Sequence, residues 1–96
     1  MENAEISLIS GVFESDDARD LLLGLINQKI QYHQLKNFSQ QERYGTVDNQ
    51  STSRIKELAQ ARLNVEEYTK LATSLGCTLS VHARISIQLL PPAGVM

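Results

Sequence analysis

Thirteen consecutive residues, 77–89, alternate between apolar and polar side chains without interruption. Alternation with a period of two predicts a β-strand that has one buried face and one wet face. The apolar set is Cys77, Leu79, Val81, Ala83, Ile85, Ile87 and Leu89, and the polar set is Thr78, Ser80, His82, Arg84, Ser86 and Gln88. Such a strand is roughly 40 Å long, whereas a compact chain of this length has a radius of gyration of about 12–13 Å. The sequence therefore predicts an elongated molecule, a bent strand, or a strand whose end reaches a partner.

The length of the chain fits one small domain with a thin core. Its single cysteine favours a reducing compartment. Nine basic and 11 acidic residues give a net charge of -2, which argues against non-specific nucleic-acid binding because that requires a strong basic field, but leaves a local basic patch open. Cys77 is the only cysteine, so no internal disulfide can form. Residues 1–5 do not resemble a signal peptide, and no apolar run approaches membrane-spanning length. We therefore expect a cytoplasmic protein that does not associate with membranes.

A first strand is predicted over residues 6–13, with apolar side chains on both faces. Gly11 is a candidate position for a bulge. We expect one face to carry Ile6, Leu8 and Val12 and the other to carry Ile9 and Phe13.

The first helix should begin at an N-cap on Ser15, because Asp16 and Asp17 place negative charge in its first turn. Its early part, residues 21–26, is apolar nearly all round, and we expect the helix to end near residue 37. Residues 39–42 have the spacing of a capping box, which predicts a separate short helix that ends near Gly45.

A second long helix should begin at a cap on one of residues 51–53 and end at Gly76. Its apolar residues recur at steps of three and four, which predicts a heptad-like seam. The seam consists of Leu58, Ala61, Val65, Tyr68, Ala72 and Leu75.

The resulting order is β-α-α-β, in which a helical hairpin reverses the chain so that the two strands can pair antiparallel beneath it. We therefore expect a two-layer α+β domain over residues 1–90 and a flexible tail over residues 91–96. Two strands cover only about 10 Å, and two packed helices need nearly twice that width. A second chain is the simplest way to cover the apolar surface that two strands leave exposed, so the sequence predicts a homodimer. Pairing through the edge of the last strand is favoured over helix-to-helix pairing, because a long unpaired edge is a liability.

The usual catalytic and metal-binding motifs are absent from the sequence. His33 and His82 lie far apart and lack neighbours at metal-ligand spacing, so we expect no metal and no cofactor. Cys77 at the head of the last strand is expected to be a small buried hydrophobe. The sequence thus leaves enzymatic activity open but favours a protein that is not an enzyme.

The most polar segment runs through residues 33–39 and 42–45 to Arg54. Continued through Ile55 and Leu58, it resembles small uncharacterised bacterial proteins of unknown function over residues 30–58. That resemblance implies no activity, cofactor or site residue. In the favoured interpretation, this segment is a helix–helix corner in which Phe38 fills the corner and Arg43 or Arg54 pairs with Asp48.

The alternative for the same segment is a site for a small anion or metabolite near two helix N-termini. The candidate ligand-binding residues are His33, Lys36, Asn37, Arg43 and Arg54. His33 is more simply explained as a partly buried, hydrogen-bonded histidine than as a catalytic base.

The polar face of the last strand is the second candidate surface, formed by Ser80, His82, Arg84 and Ser86. An ordinary solvated face is the simpler interpretation, and docking of an unidentified protein partner is the alternative. It displays no aromatic ring besides His82 for stacking on bases, so nucleic acid is the weakest candidate. The sequence as a whole favours a homo-oligomeric interaction or structural module, with a small-anion or metabolite-binding protein as the alternative.

Overall fold

The computed structural model describes residues 2–93 and contains two strands and two long helices. The elements are β1 (Asn3–Phe13), α1 (Ser15–Tyr44), α2 (Asn49–Leu75) and β2 (Leu79–Gln88). The strands pair antiparallel in one two-stranded sheet, and the helices form a hairpin. The predicted β-α-α-β order and α+β class are confirmed. The end of the predicted C-terminal tail lies outside the described residues.

The helix α1 is longer than the sequence predicted, because it continues without a break to Tyr44. The predicted end near residue 37 and the separate short helix are wrong, since residues 25–44 contain no glycine or proline that would interrupt a helix. Gly45 ends the helix with a φ of 74°, and its N–H donates to the Gln41 carbonyl. Ser15 is the first helical residue rather than the cap, and its hydroxyl bonds that of Thr73 at 2.8 Å.

The helix α2 begins earlier than predicted, with Asp48 as its N-cap. The Asp48 carboxylate accepts the N–H of Gln50 at 3.0 Å, which satisfies one of the free amides of the first turn. The other end was predicted correctly, because Gly76 stops the helix with a φ of 68°.

The two helices meet along a narrow seam of small and polar residues. The buried members are Ala18, Ile30 and His33 on α1 and Ser51, Thr69 and Ala72 on α2. Tyr68 is 68% exposed and Leu75 is 66% exposed, so the prediction that they belong to the seam is wrong. From Val65 the seam advances four residues to Thr69 instead of three, which turns Tyr68 out to one side.

The sheet has one apolar face because β1 contains a β-bulge. Register runs from Asn3 opposite Gln88 to Phe13 opposite Leu79, and it shifts between Ser7 and Ile9, so Leu8 has no partner. The bulge therefore places Ile6 on the same face as Ile9, and the predicted grouping of Ile6 with Leu8 and Val12 is wrong. The apolar face carries Ala4, Ile6, Ile9, Gly11 and Phe13 beside Leu79, Val81, Ala83, Ile85 and Ile87.

Only part of this apolar face is covered by the chain itself. The helix α1 contacts both strands, whereas α2 barely reaches them. Residues Leu79, Val81 and Ala83 are half-buried, but Ile85 and Ile87 further along β2 are exposed. Cys77 precedes β2 and is exposed, so the prediction of a buried thiol is wrong. The molecule is consequently long and flat, with Cα extents of 54 × 36 × 14 Å.

Candidate functional site

The polar corner of the hairpin is organised by a chain of hydrogen bonds that links α1 to the start of α2. The Ser51 hydroxyl donates to Asp48 Oδ2 at 3.1 Å, and Lys36 Nζ lies 3.3 Å from the same oxygen. His33 Nδ1 lies 3.1 Å from Ser51 Oγ. Because the one hydroxyl proton goes to Asp48, His33 Nδ1 carries the proton that Ser51 accepts. The neutral ring then leaves a bare Nε2, which is buried without a hydrogen-bond partner.

Asn37 completes the corner by fixing the loop that precedes α2. Its Oδ1 accepts the backbone N–H of Asp48 at 3.0 Å, and its Nδ2 donates to Thr52 Oγ1 at 3.2 Å. The Thr52 hydroxyl in turn donates to the Asp48 carbonyl at 3.1 Å. Both ends of the Asn37 amide are thus engaged within the chain.

The candidate cations of the corner have separate positions or partners within the chain. Lys36 is the residue that pairs with Asp48, so the predicted pairing of Arg43 or Arg54 with Asp48 is wrong. Arg54 instead pairs with Glu57 one turn along α2, and Arg43 lies in the last turn of α1, where a cation suits the helix dipole. Phe38, predicted to fill the corner, is 60% exposed.

The electrostatics of the corner favour a neutral histidine and an ionised aspartate. Burial lowers the pKa of His33 below its ordinary value of 6.5, and the cations Lys29, Arg54 and Lys36 lower it further. Burial acts to raise the pKa of Asp48, but hydrogen bonds from Lys36, Ser51 and the Gln50 N–H outweigh this effect, so that pKa lies below its ordinary value.

The corner brings a histidine, a serine and an aspartate together, but their arrangement does not suit nucleophilic catalysis. The hydroxyl of Ser51 bridges the other two groups, whereas an activated serine donates its proton to the histidine base. Ser51 is also only 1% exposed, so no substrate can reach it. These contacts favour a structural role for the corner; ligand binding there stays a prediction.

The polar face of the sheet gathers the second set of candidate residues. His82 Nδ1 lies 3.1 Å from Ser10 Oγ, and its Nε2 lies 2.9 Å from Ser80 Oγ. Arg84 donates to the Glu5 carboxylate at 3.2 Å across the two strands. Ser86 is also exposed on this face, which is therefore a solvated surface with local cross-strand pairs.

A third feature, which sequence analysis missed, is an apolar cleft between α2 and β2. It has a volume of about 380 Å³, and its apolar walls are formed by Leu22, Val65, Tyr68, Leu79 and Val81. No residue of β1 lines it. The cleft could not be anticipated because it depends on which way Tyr68 turns and on how far α2 stands from the sheet.

The fold and these surfaces define a small α+β protein built on a helical hairpin. No family model, curated protein or solved structure matches the chain. The resemblance of residues 30–58 to small bacterial proteins accordingly stays a prediction. Within residues 2–93, no three His, Cys, Asp or Glu side chains are grouped so that they could hold a metal ion. Neither helix of this part of the chain has an apolar stretch long enough to cross a membrane.

Proposed function

We propose that this protein is a homodimeric interaction module, in which two copies bury the apolar surface that one copy leaves open. The observation that carries this proposal is the accessible surface of the chain, 7593 Å². A compact monomer of the same mass, 10.7 kDa, exposes about 5,500 Å². The excess of roughly 2,000 Å² is of the size that each subunit of an obligate dimer buries.

The chemical character of the exposed surface supports the same proposal. Within residues 2–93, 16 large hydrophobic side chains are exposed, and only four apolar residues are buried. The four are Ile9, Ala18, Ile30 and Ala72. So small a core is a poor basis for an independent fold, and burial of exposed apolar side chains against a second chain would enlarge it.

Anion or metabolite binding at the hairpin corner is the weaker proposal. Lys36 and Arg54 already face the carboxylates of Asp48 and Glu57, and Asn37 uses its amide within the chain. An anion would have to compete with these local partners, and no described contact favours its entry.

Sedimentation equilibrium at about 10–50 µM protein tests the proposed function directly. We expect a mass of twice 10.7 kDa. A mass of one chain throughout that range would contradict the proposal. Thermal melts with added phosphate or sulfate test the alternative, because a specifically bound anion would raise the melting temperature in proportion to the logarithm of its concentration above the dissociation constant.

A further inference from the structure

The two edges of the sheet differ in their capacity to pair with another strand. The outer edge of β1 is interrupted by the bulge at Leu8, which distorts the ladder and discourages further pairing. The outer edge of β2 is regular over all ten residues, Leu79–Gln88. It presents an uninterrupted row of backbone donors and acceptors, so β2 is the edge at which the sheet can grow.

The apolar cleft lies beside this regular edge. Its walls come from α2 and from the first residues of β2, and Tyr68, which lines it, is largely exposed. A strand added to β2 would lie beside residues 64–69 of α2, where residues 2–93 supply no strand.

We propose that the β2 strand of a second copy pairs antiparallel with the outer edge of β2, which extends the sheet to four strands. The proposal rests on the proposed homodimer and specifies its interface. The occupant is a second copy because the excess surface of one chain is what a dimer buries. A two-fold axis through β2 also gives both copies the same contact.

The alternation of β2 restricts the register of this pairing. Residues directly opposite each other on antiparallel strands share a face, so apolar residues must oppose apolar ones. A two-fold axis at Arg84 would place two guanidinium groups opposite each other. An axis at His82 would pair fewer residues of the two strands. An axis at Ala83 avoids the charge repulsion and keeps the longer pairing, and it places Leu79 opposite the partner's Ile87 and Val81 opposite the partner's Ile85.

This register accounts for two of the apolar residues that the single chain leaves exposed, Ile85 and Ile87. Ile85 and Ile87 are exposed because they lie on the part of β2 that extends beyond the contact with the helices. In the paired sheet they lie next to the partner's Leu79 and Val81, at the cleft under the partner's α2. The partner's α2 would then lie beside these two apolar residues of β2.

Cysteine cross-linking tests the register. In a Cys77→Ser background, Ala83→Cys should form an intermolecular disulfide under mild oxidation, because residues opposite each other have Cα atoms about 4.5–5.5 Å apart. The matched control is Ser86→Cys, whose two copies would lie about 20 Å apart along the strands and should not cross-link. Equal cross-linking of both variants, or of Ser86→Cys alone, would overturn the register.

Paired charges on the polar face test the interface without disturbing the apolar face. In this register Ser80 lies opposite the partner's Ser86. The double variant Ser80→Asp/Ser86→Asp therefore places two carboxylates opposite each other at two positions of each dimer. Ser80→Lys with Ser86→Asp places opposite charges there, and both double variants remove the same Ser80–His82 hydrogen bond. We expect the dimer dissociation constant to differ between them by about tenfold. Equal constants with an intact wild-type dimer would overturn the interface alone, whereas a monomeric wild type would overturn the proposed function as well.

Discussion

Folding and association of this chain should be one process, so its melting temperature should depend on protein concentration. One chain buries only four apolar side chains among its described residues, and the helices make few contacts with the sheet. An isolated two-stranded sheet is marginal in water. The folded single chain should therefore not be populated, and unfolding should release two unfolded chains from one dimer.

The size of the effect follows from the length of the chain. A tenfold change in concentration corresponds to about 1.4 kcal/mol in an association equilibrium. Unfolding of two chains of 96 residues gains about 0.4 kcal/mol/K of entropy near 60 °C. The melting temperature should therefore rise by about 3–4 °C for each tenfold increase in concentration.

Far-UV circular dichroism over a concentration range of about a hundredfold is the appropriate assay, and we expect a total shift of about 7 °C. A melting temperature constant to within about 1 °C would refute the reasoning even if a dimer were found by sedimentation. It would show that dissociation is not coupled to unfolding, and hence that four buried apolar residues suffice to hold one chain folded.

Three further outcomes can be measured by urea denaturation. Gly24→Ala should raise the free energy of unfolding by about 1 kcal/mol, because Gly24 is helical and a Cβ there meets no atom within 4 Å. Gly45→Ala should lower the free energy of unfolding by about 1 kcal/mol, because an alanine is strained at the positive φ of this position. If both glycine variants changed the free energy of unfolding in the same direction, the helix-end assignment would be wrong. The pKa of His33 is lower in the folded state than in the unfolded state, so the unfolded state binds protons more readily. Stability should therefore fall as pH drops from 6.5 toward the folded pKa. His33→Asn should flatten that part of the profile, and an unchanged slope would show that another group titrates. Arg54→Met should cost at most about 1 kcal/mol, since its ion pair is exposed, and it should leave any stabilisation by sulfate unchanged. Loss of a stabilisation that wild type gains from sulfate at sub-millimolar concentration would favour the anion-binding alternative.

The features that depend on local pattern were predictable from the sequence. Strict alternation identified β2 and its two faces, and Gly76 marked the end of α2, because these signals act within a few residues. Gly45 was recognised as a helix C-cap, but it was assigned to a separate short helix rather than to α1. The order of elements followed, and with it the antiparallel pairing of the strands.

The features that depend on contacts between distant residues were not predictable. Whether the seam of α2 takes Tyr68 or Thr69 depends on how α1 packs, since steps of three and four are equally compatible with a helix. Likewise Asp48, rather than a serine or threonine of residues 51–53, caps α2, because Lys36 and Asn37 from α1 hold the loop in place. The bulge at Leu8 is visible only once β2 lies beside it.

The bulge also determines where β1 tolerates a change in length. Deletion of Leu8 would join Ser7 to Ile9, whose partners Arg84 and Ala83 are already adjacent, and every side chain of β1 would keep its face. Deletion of Ser7 or Ile9 would have the same effect, because Leu8 would take the vacated position opposite Arg84 or Ala83, whereas deletion near Phe13 would reverse the faces of the residues between the gap and the bulge. Among related sequences, a deletion of a single residue in this strand should therefore be found within residues 7–9 and should leave the apolar face intact.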